Sequence, residues 1–193
     1  MKRLIGCAGA MILVAGCGGT ATETPAVDNG VTANIANETD PAGASPAASA
    51  ELRDANGQPM GMAMVTQVGS DLRVTIDGVN LPAGTRAAHV HSVGTCTAPT
   101  FDSAGPHWNP TDAQHGRDNP QGAHKGDMPN MDVGAEGRGS LDYVIQGATL
   151  TGSDGALLDA DGAAVVIHAN ADDYRTDPTG NAGGRIACGV LSQ

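Results

Sequence analysis

The stretch from residue 105 to 127, GPHWNPTDAQHGRDNPQGAHKGD, limits what this chain can fold into more than any other segment. Pro106, Pro110 and Pro120 each lack a backbone donor, so no regular helix or strand runs through it. Gly116, Gly122 and Gly126 add conformational freedom. Yet the stretch holds His107, His115 and His124, half of the six histidines in the chain, and ends on Asp127. A loop this long without secondary structure is uncommon unless it is functional or disordered. Exposed loop histidines are common singly. Three imidazoles closed by a carboxylate are a full tetrahedral donor set for zinc, with no open position.

The other three histidines lie in strand-like surroundings. His89 and His91 are two residues apart in AHVH. A period of two puts both on one face, about 7 Å apart along the strand. Two such imidazoles can chelate one metal, or can be an ordinary strand pair. His168 ends VVIH after three β-branched residues, and alone it would read as a partly buried structural histidine. All six histidines therefore fall in metal-plausible contexts.

The frame around them is β. Residues 71–77, DLRVTID, alternate polar and apolar, as a half-buried strand does. Met60, Met62 and Met64 alternate with smaller residues, and residues 88–93, 141–145, 164–169 and 185–191 are further strands. Asn56-Gly57, Gly69-Ser70 and Asp154-Gly155 supply turns. No stretch has a convincing amphipathic helical period. The expectation is an all-β Greek-key barrel or sandwich of about eight antiparallel strands. Two long polar inserts, residues 94–137 and 169–184, interrupt it and are where a site would be built. With aromatic residues at 2%, Val, Leu, Ile, Met and Ala must fill the core.

The N-terminus carries address information. Lys2 and Arg3 precede an apolar run ending Val14-Ala15-Gly16-Cys17. The run is too short to span a membrane and reads as a secretory signal over residues 1–16. Its end resembles a bacterial lipobox, which makes Cys17 the lipidated first residue of the mature chain and a membrane anchor. Gly18 at the next position leans towards the outer membrane, on the periplasmic side. Residues 17–47 are poor in large apolar side chains and read as a flexible tether. The folded domain is expected over 48–193. Cys7 leaves with the signal, so Cys96 and Cys188 remain, and in an exported domain they most simply pair. Without Lys2 and Arg3 the chain has 8 basic against 21 acidic residues, a net charge of −13. Nucleic acid is therefore excluded as a partner.

The run AHVH, Cys96, SAGPHWNP, His115, HKGDMP, VVIHANADDY and GGRIACGV resembles the copper,zinc superoxide dismutases of the bacterial periplasmic type over residues 48–193. The resemblance implies one copper and one zinc per subunit. Copper would be held by His89, His91, His107 and His168. Zinc would be held by His107, His115, His124 and Asp127, with His107 bridging the two metals. Arg185 would draw the superoxide anion to copper, and Asp172 would link a copper histidine to a zinc histidine, although Asp173 stands next to it. Cys96 and Cys188 match the family's disulfide. Superoxide would reduce Cu(II) and leave as dioxygen, and a second superoxide would reoxidise Cu(I) to give hydrogen peroxide. His107 would take and return a proton.

This chain departs from the family at Ala87-Ala88, where Gly and an aromatic residue are usual before the first copper histidine. Altered packing without loss of ligands is expected there. Trp108 is read as a packing residue or part of a subunit contact, and a homodimer is left open. Lys125 is an outer candidate for steering the anion. The competing readings are a periplasmic copper/zinc-binding protein without turnover, and a surface protein on an inherited β scaffold. The first needs neither a shared ligand nor Arg185, and the second would be expected to have lost ligands.

Overall fold

The computed structural model describes residue 45, residues 47–152 and residues 154–193. The signal segment, Cys17 and nearly all of the tether lie outside the described residues. Strand β1 starts at Ala47, where the tether is expected to end. It pairs with β2 (Pro59–Val68), which pairs with β3 (Asp71–Gly78). Two short strands follow, β4 (Gly84–Arg86) and β5 (Ala88–His91). After the long insert come β6 (Met131–Val133), β7 (Gly139–Ile145), β8 (Ala164–His168) and β9 (Arg185–Val190). Seven strands make one curled sheet in the order β5-β8-β9-β1-β2-β3-β7, and β4 pairs with β6 separately. All named pairings are antiparallel. The non-sequential neighbours β5–β8, β9–β1 and β3–β7 are the crossovers of a Greek key.

The alternation seen in the sequence is realised as two faces. Along β3, Leu72, Val74 and Ile76 are buried while Arg73 and Asp77 face solvent. Leu52, Val65, Val90, Val165 and Ile167 join them in one core with Met128, Met131 and Trp108. Trp108 is thus a packing residue within the described chain. The core is aliphatic and methionine-rich, as the scarcity of aromatics requires. Truncating Leu72, which is fully buried, to alanine would cost about 2–5 kcal/mol. Phe101, the one phenylalanine of the chain, sits instead in a smaller cluster with Ala104, Ala164, Val166 and Cys188.

Three strands add to the expected set. Two of the three buried residues of β1 are alanine, Ala48 and Ala50, so its pattern is weak in sequence. β4 and β6 span three residues each, too few for a period to be read. β6 falls inside the first expected insert, which therefore ends before residue 131. Among the described residues the single helical element is a 3-10 turn at Asp102–Ala104.

The long loop is irregular but tightly placed, and Val90 in β5 fixes it. The Val90 N–H donates to Gly126 O (2.9 Å), and Val90 O accepts from Trp108 N–H (2.8 Å). These bonds set the residues next to the zinc-type ligands against the strand carrying His89 and His91. Gly126 has to be a glycine here, since a Cβ would stand 2.2 Å from Val90 O. Cys96 and Cys188 form a disulfide, with their Cα atoms 5.7 Å apart, which ties the loop to β9.

Candidate metal centre

Strand geometry delivers the first pair. His89 and His91 stand on one face of β5, at 0% and 1% exposure. Ala87 and Ala88 before them are wholly buried, and the ligand strand keeps an unbroken register with β8. A register shift in the β8–β9 pairing between Ile167 and His168 brings His168 opposite Arg185. The loop then adds His107 opposite His91 and Asp127 opposite His89. Ring centroids of His89 lie 4.1 Å from His107 and 4.8 Å from His168, and those of His91 and His107 lie 4.9 Å apart.

Each imidazole can be sorted by what its two nitrogens do. His89 Nε2 lies 2.8 Å from Asp172 Oδ2, leaving Nδ1 without a partner. His91 Nδ1 donates to Gly105 O at 2.8 Å, leaving Nε2. His168 Nδ1 faces Gly183 O at 3.4 Å, a weak contact, leaving Nε2. His107 Nδ1 lies 2.8 Å from Asp127 Oδ1, leaving Nε2. A buried polar atom without a partner is costly, and four such nitrogens in one place suit the binding of a cation. His89, His91, His107 and His168 each offer a ligand atom within 4.8 Å of the others.

A second set forms round one oxygen. His107 Nδ1, His115 Nδ1 and His124 Nδ1 lie 2.8, 3.0 and 3.1 Å from Asp127 Oδ1. The His115 approach lacks hydrogen-bond direction, so that nitrogen too is unpartnered. The edges of a zinc tetrahedron with bonds near 2.0–2.1 Å are about 3.3 Å, close to these three nitrogen–oxygen distances. His107, His115, His124 and Asp127 also form one group within 4.8 Å. His107 belongs to both sets, one nitrogen to each.

Asp172 couples the two sets from behind. Its Oδ2 meets His89 Nε2 at 2.8 Å and its Oδ1 meets His115 Nε2 at 3.0 Å. It is buried, whereas the neighbouring Asp173 is exposed and occupied with Thr176 and Asn181. The choice between them is therefore made by burial. Asn130, which the sequence does not flag, holds Asp172 in place. Its amide donates to Asp172 O (2.9 Å) and accepts from Asp172 N–H (2.8 Å).

Electrostatics suits metal binding at neutral pH. Burial, aided by the neighbouring histidine charges, pushes His91 down to about 2, His168 to about 3 and His107 to about 4. Their lone pairs are free for a cation. Burial also disfavours the charged form of His115, but Asp127 and Asp172 outweigh it and raise the group to about 9. Burial works against Asp127 as well. Its hydrogen bonds from His107, His124 and the Gly116 N–H, with the His115 ring 3.0 Å away, nevertheless hold it well below the usual carboxylate range.

Arg185 opens β9 and is half-buried. Its Nη1 donates to Phe101 O (2.7 Å) and its Nη2 to Gly105 O (2.8 Å). It lines a cavity of about 390 Å³ with Asp102, His107, Asn109, His124 and Thr179. Lys125 does not line this cavity. Its Nζ donates to Gln146 O at 2.6 Å, beside a separate recess with Tyr143. Lys125 therefore carries its charge outside this cavity, next to His124. A larger groove of about 580 Å³ between Asp77, Asp132 and Arg138 contains none of the histidines.

The profile of the family described as Copper/zinc superoxide dismutase (SODC) matches residues 60–191. The chain is 40% identical over 144 residues to Superoxide dismutase (Cu-Zn) 1 of Aquifex aeolicus, covering 74% of this chain and 85% of the relative. It is 38% identical over 147 residues to Superoxide dismutase (Cu-Zn) of Caulobacter vibrioides, covering 75% and 84%. Among solved structures it is similar to a SOD-like protein from Bacillus subtilis, with TM-score 0.71 and 37% identity over 75% of this chain and 97% of that one. With two histidine-rich donor sets on a Greek-key sheet and a family match over most of the described domain, the chain belongs to the copper/zinc superoxide dismutase family.

Proposed function

We propose that His89, His91, His107 and His168 hold copper, and that His107, His115, His124 and Asp127 hold zinc, with His107 serving both. The activity served is that of the family, the dismutation of superoxide to dioxygen and hydrogen peroxide, with copper and zinc as cofactors. One observation carries the assignment: the buried imidazole nitrogens His89 Nδ1, His91 Nε2, His107 Nε2 and His168 Nε2 have no partner and lie together. When bound, copper supplies an electron carrier that alternates between two oxidation states, and zinc supplies a fixed positive charge.

The remaining work belongs to the chain. Arg185 carries a permanent charge and fixed donors, and draws the anion into the cavity that His107 lines. His107 holds and moves a proton at Nε2, because its Nδ1 is turned to Asp127. Asp172 fixes the tautomers of His89 and His115 through one carboxylate. The set round Asp127 has four protein donors and no open position, so it takes no substrate.

Export is part of the same proposal. The lipobox-like end at Cys17 and the disulfide support a lipid-anchored protein in the periplasm, at the outer membrane by the residue after Cys17.

Metal analysis of two variants tests the ligand assignment. His107→Ala is expected to lower both copper and zinc content. His115→Ala is expected to lose zinc first and keep copper. Loss of one metal alone from His107→Ala would remove the shared ligand from the proposal.

A further inference from the structure

We infer that Phe101 is a positioning residue for Arg185: its buried ring pins a left-handed backbone corner whose carbonyl oxygen aims the guanidinium into the cavity beside His107. The inference rests on the reading of Arg185 as the group that draws the anion. Phe101 is 2% exposed, yet its backbone has φ 56 and ψ 22. An L residue with a bulky side chain rarely adopts that conformation and needs surrounding structure to hold it. The holding is visible. The ring packs with Ala104, Ala164, Val166 and Cys188 and against Cys96, so one wall of its niche is the disulfide.

The corner does specific work at its oxygen. Phe101 O accepts from Ala104 N–H (3.1 Å) and from Arg185 Nη1 (2.7 Å). Four residues on, Gly105 O accepts from Arg185 Nη2 (2.8 Å) and from His91 Nδ1 (2.8 Å). The 3-10 turn Asp102–Ala104 sets the spacing of the two carbonyls. The planar guanidinium fork reads that spacing with two donors. The same turn thereby fixes the anion-drawing group relative to His91. Among the described residues no carboxylate lies within ion-pair distance of Arg185. The two carbonyls are therefore what orients it. Asp102 lines the same cavity. A guanidinium released from Phe101 O can turn towards that carboxylate, which cancels part of the charge offered to the anion.

The test uses the copper- and zinc-loaded protein. Four forms are compared: wild type, Phe101→Ala, Phe101→Leu and Arg185→Ala, together with the Phe101→Ala/Arg185→Ala double variant. Metal content, thermal midpoint, the superoxide rate constant against ionic strength, and the affinity for azide, a small anion that binds copper(II), are read for each. Phe101→Ala is expected to keep both metals, lose roughly five- to tenfold in rate at low salt, flatten the salt dependence and weaken azide binding, because a bond to a charged group is lost. Phe101→Leu keeps an apolar anchor of smaller volume and is expected to shift rate and azide affinity in the same direction by about twofold. It reads out the proposal even where the alanine variant does not fold. In the Arg185→Ala background, Phe101→Ala is expected to add no further rate loss. A lowered midpoint with unchanged salt dependence and azide affinity in either Phe101 variant would overturn the proposal. If Arg185→Ala itself leaves rate and azide affinity unchanged, the reading of Arg185 fails first, and that outcome is distinct.

Discussion

Gly180 and Asp172 stand so close that a Cβ on Gly180 would lie 1.9 Å from Asp172 Oδ1 and 2.5 Å from His115 Nε2. Gly180 also has φ +64, where a side chain is strained in any case. The residue is the floor under the carboxylate that joins His89 to His115. Gly180→Ala is expected to push Asp172 off His115 and lower zinc affinity by about 10–100-fold, the usual scale for losing such a support. Chelator competition with and without copper checks this. Unchanged zinc affinity would contradict the role of the Asp172 link.

Arg185 is the one lysine or arginine among the described residues lining the cavity at His107, in a chain with a formal net charge of −11. The global field repels an anion, so attraction has to be local. Arg185→Gln is expected to reduce the superoxide rate about tenfold or more and to flatten its fall with salt, while copper stays bound. Lys125→Gln is expected to change neither. A native rate that rises with salt would show that the overall negative charge dominates.

The disulfide joins residues 92 apart in sequence. Closing a loop of that length restricts the unfolded chain and is worth about 4–5 kcal/mol at the upper end. Reducing Cys96–Cys188 is expected to lower the thermal midpoint. It should also loosen the Phe101 niche, so that activity falls before the sheet unfolds. Thermal scans and mass measurement of free thiols, taken on the same samples, check this. Two free thiols in the native protein would contradict it.

The metal-free protein is expected to be most stable near neutral pH. His91, His107 and His168 are held down to about 2, 4 and 3, below the ordinary value near 6.5. The unfolded chain then binds more protons between these limits, so stability is lost as pH falls below about 6.5. His115 is raised to about 9. Its contribution is full below about 6.5 and is lost as pH rises through 9. Thermal midpoints of metal-free protein between pH 4 and 9 should pass through a maximum. A midpoint that climbs as pH falls from 6.5 to 4.5 would contradict the burial argument.

Much of the centre is legible in the sequence because ligands are local objects. The identities of His107, His115, His124 and Asp127 and the prolines round them are local facts, and so is the spacing of His89 and His91. The all-β class follows from alternation in residues 71–77 and at Met60, Met62 and Met64, although in β2 it is Ala63 and Val65 that turn inward while Met62 and Met64 face solvent. Strand β1, rich in alanine, and β4 and β6, at three residues each, carry too little pattern to be read. What only tertiary structure decides depends on approach between distant segments. Asp172 rather than Asp173 is chosen because it alone is buried between two rings. Lys125 is held outside the Arg185 cavity, with its Nζ donating to Gln146 O. Phe101, Gly105 and Asn130 act through backbone or amide atoms, and sequence does not say where a carbonyl points. Residue types state which atoms can bind a metal. Which nitrogen of each imidazole is free for it is settled by the partner on the ring's other side, and those partners lie as far as 83 residues away along the chain.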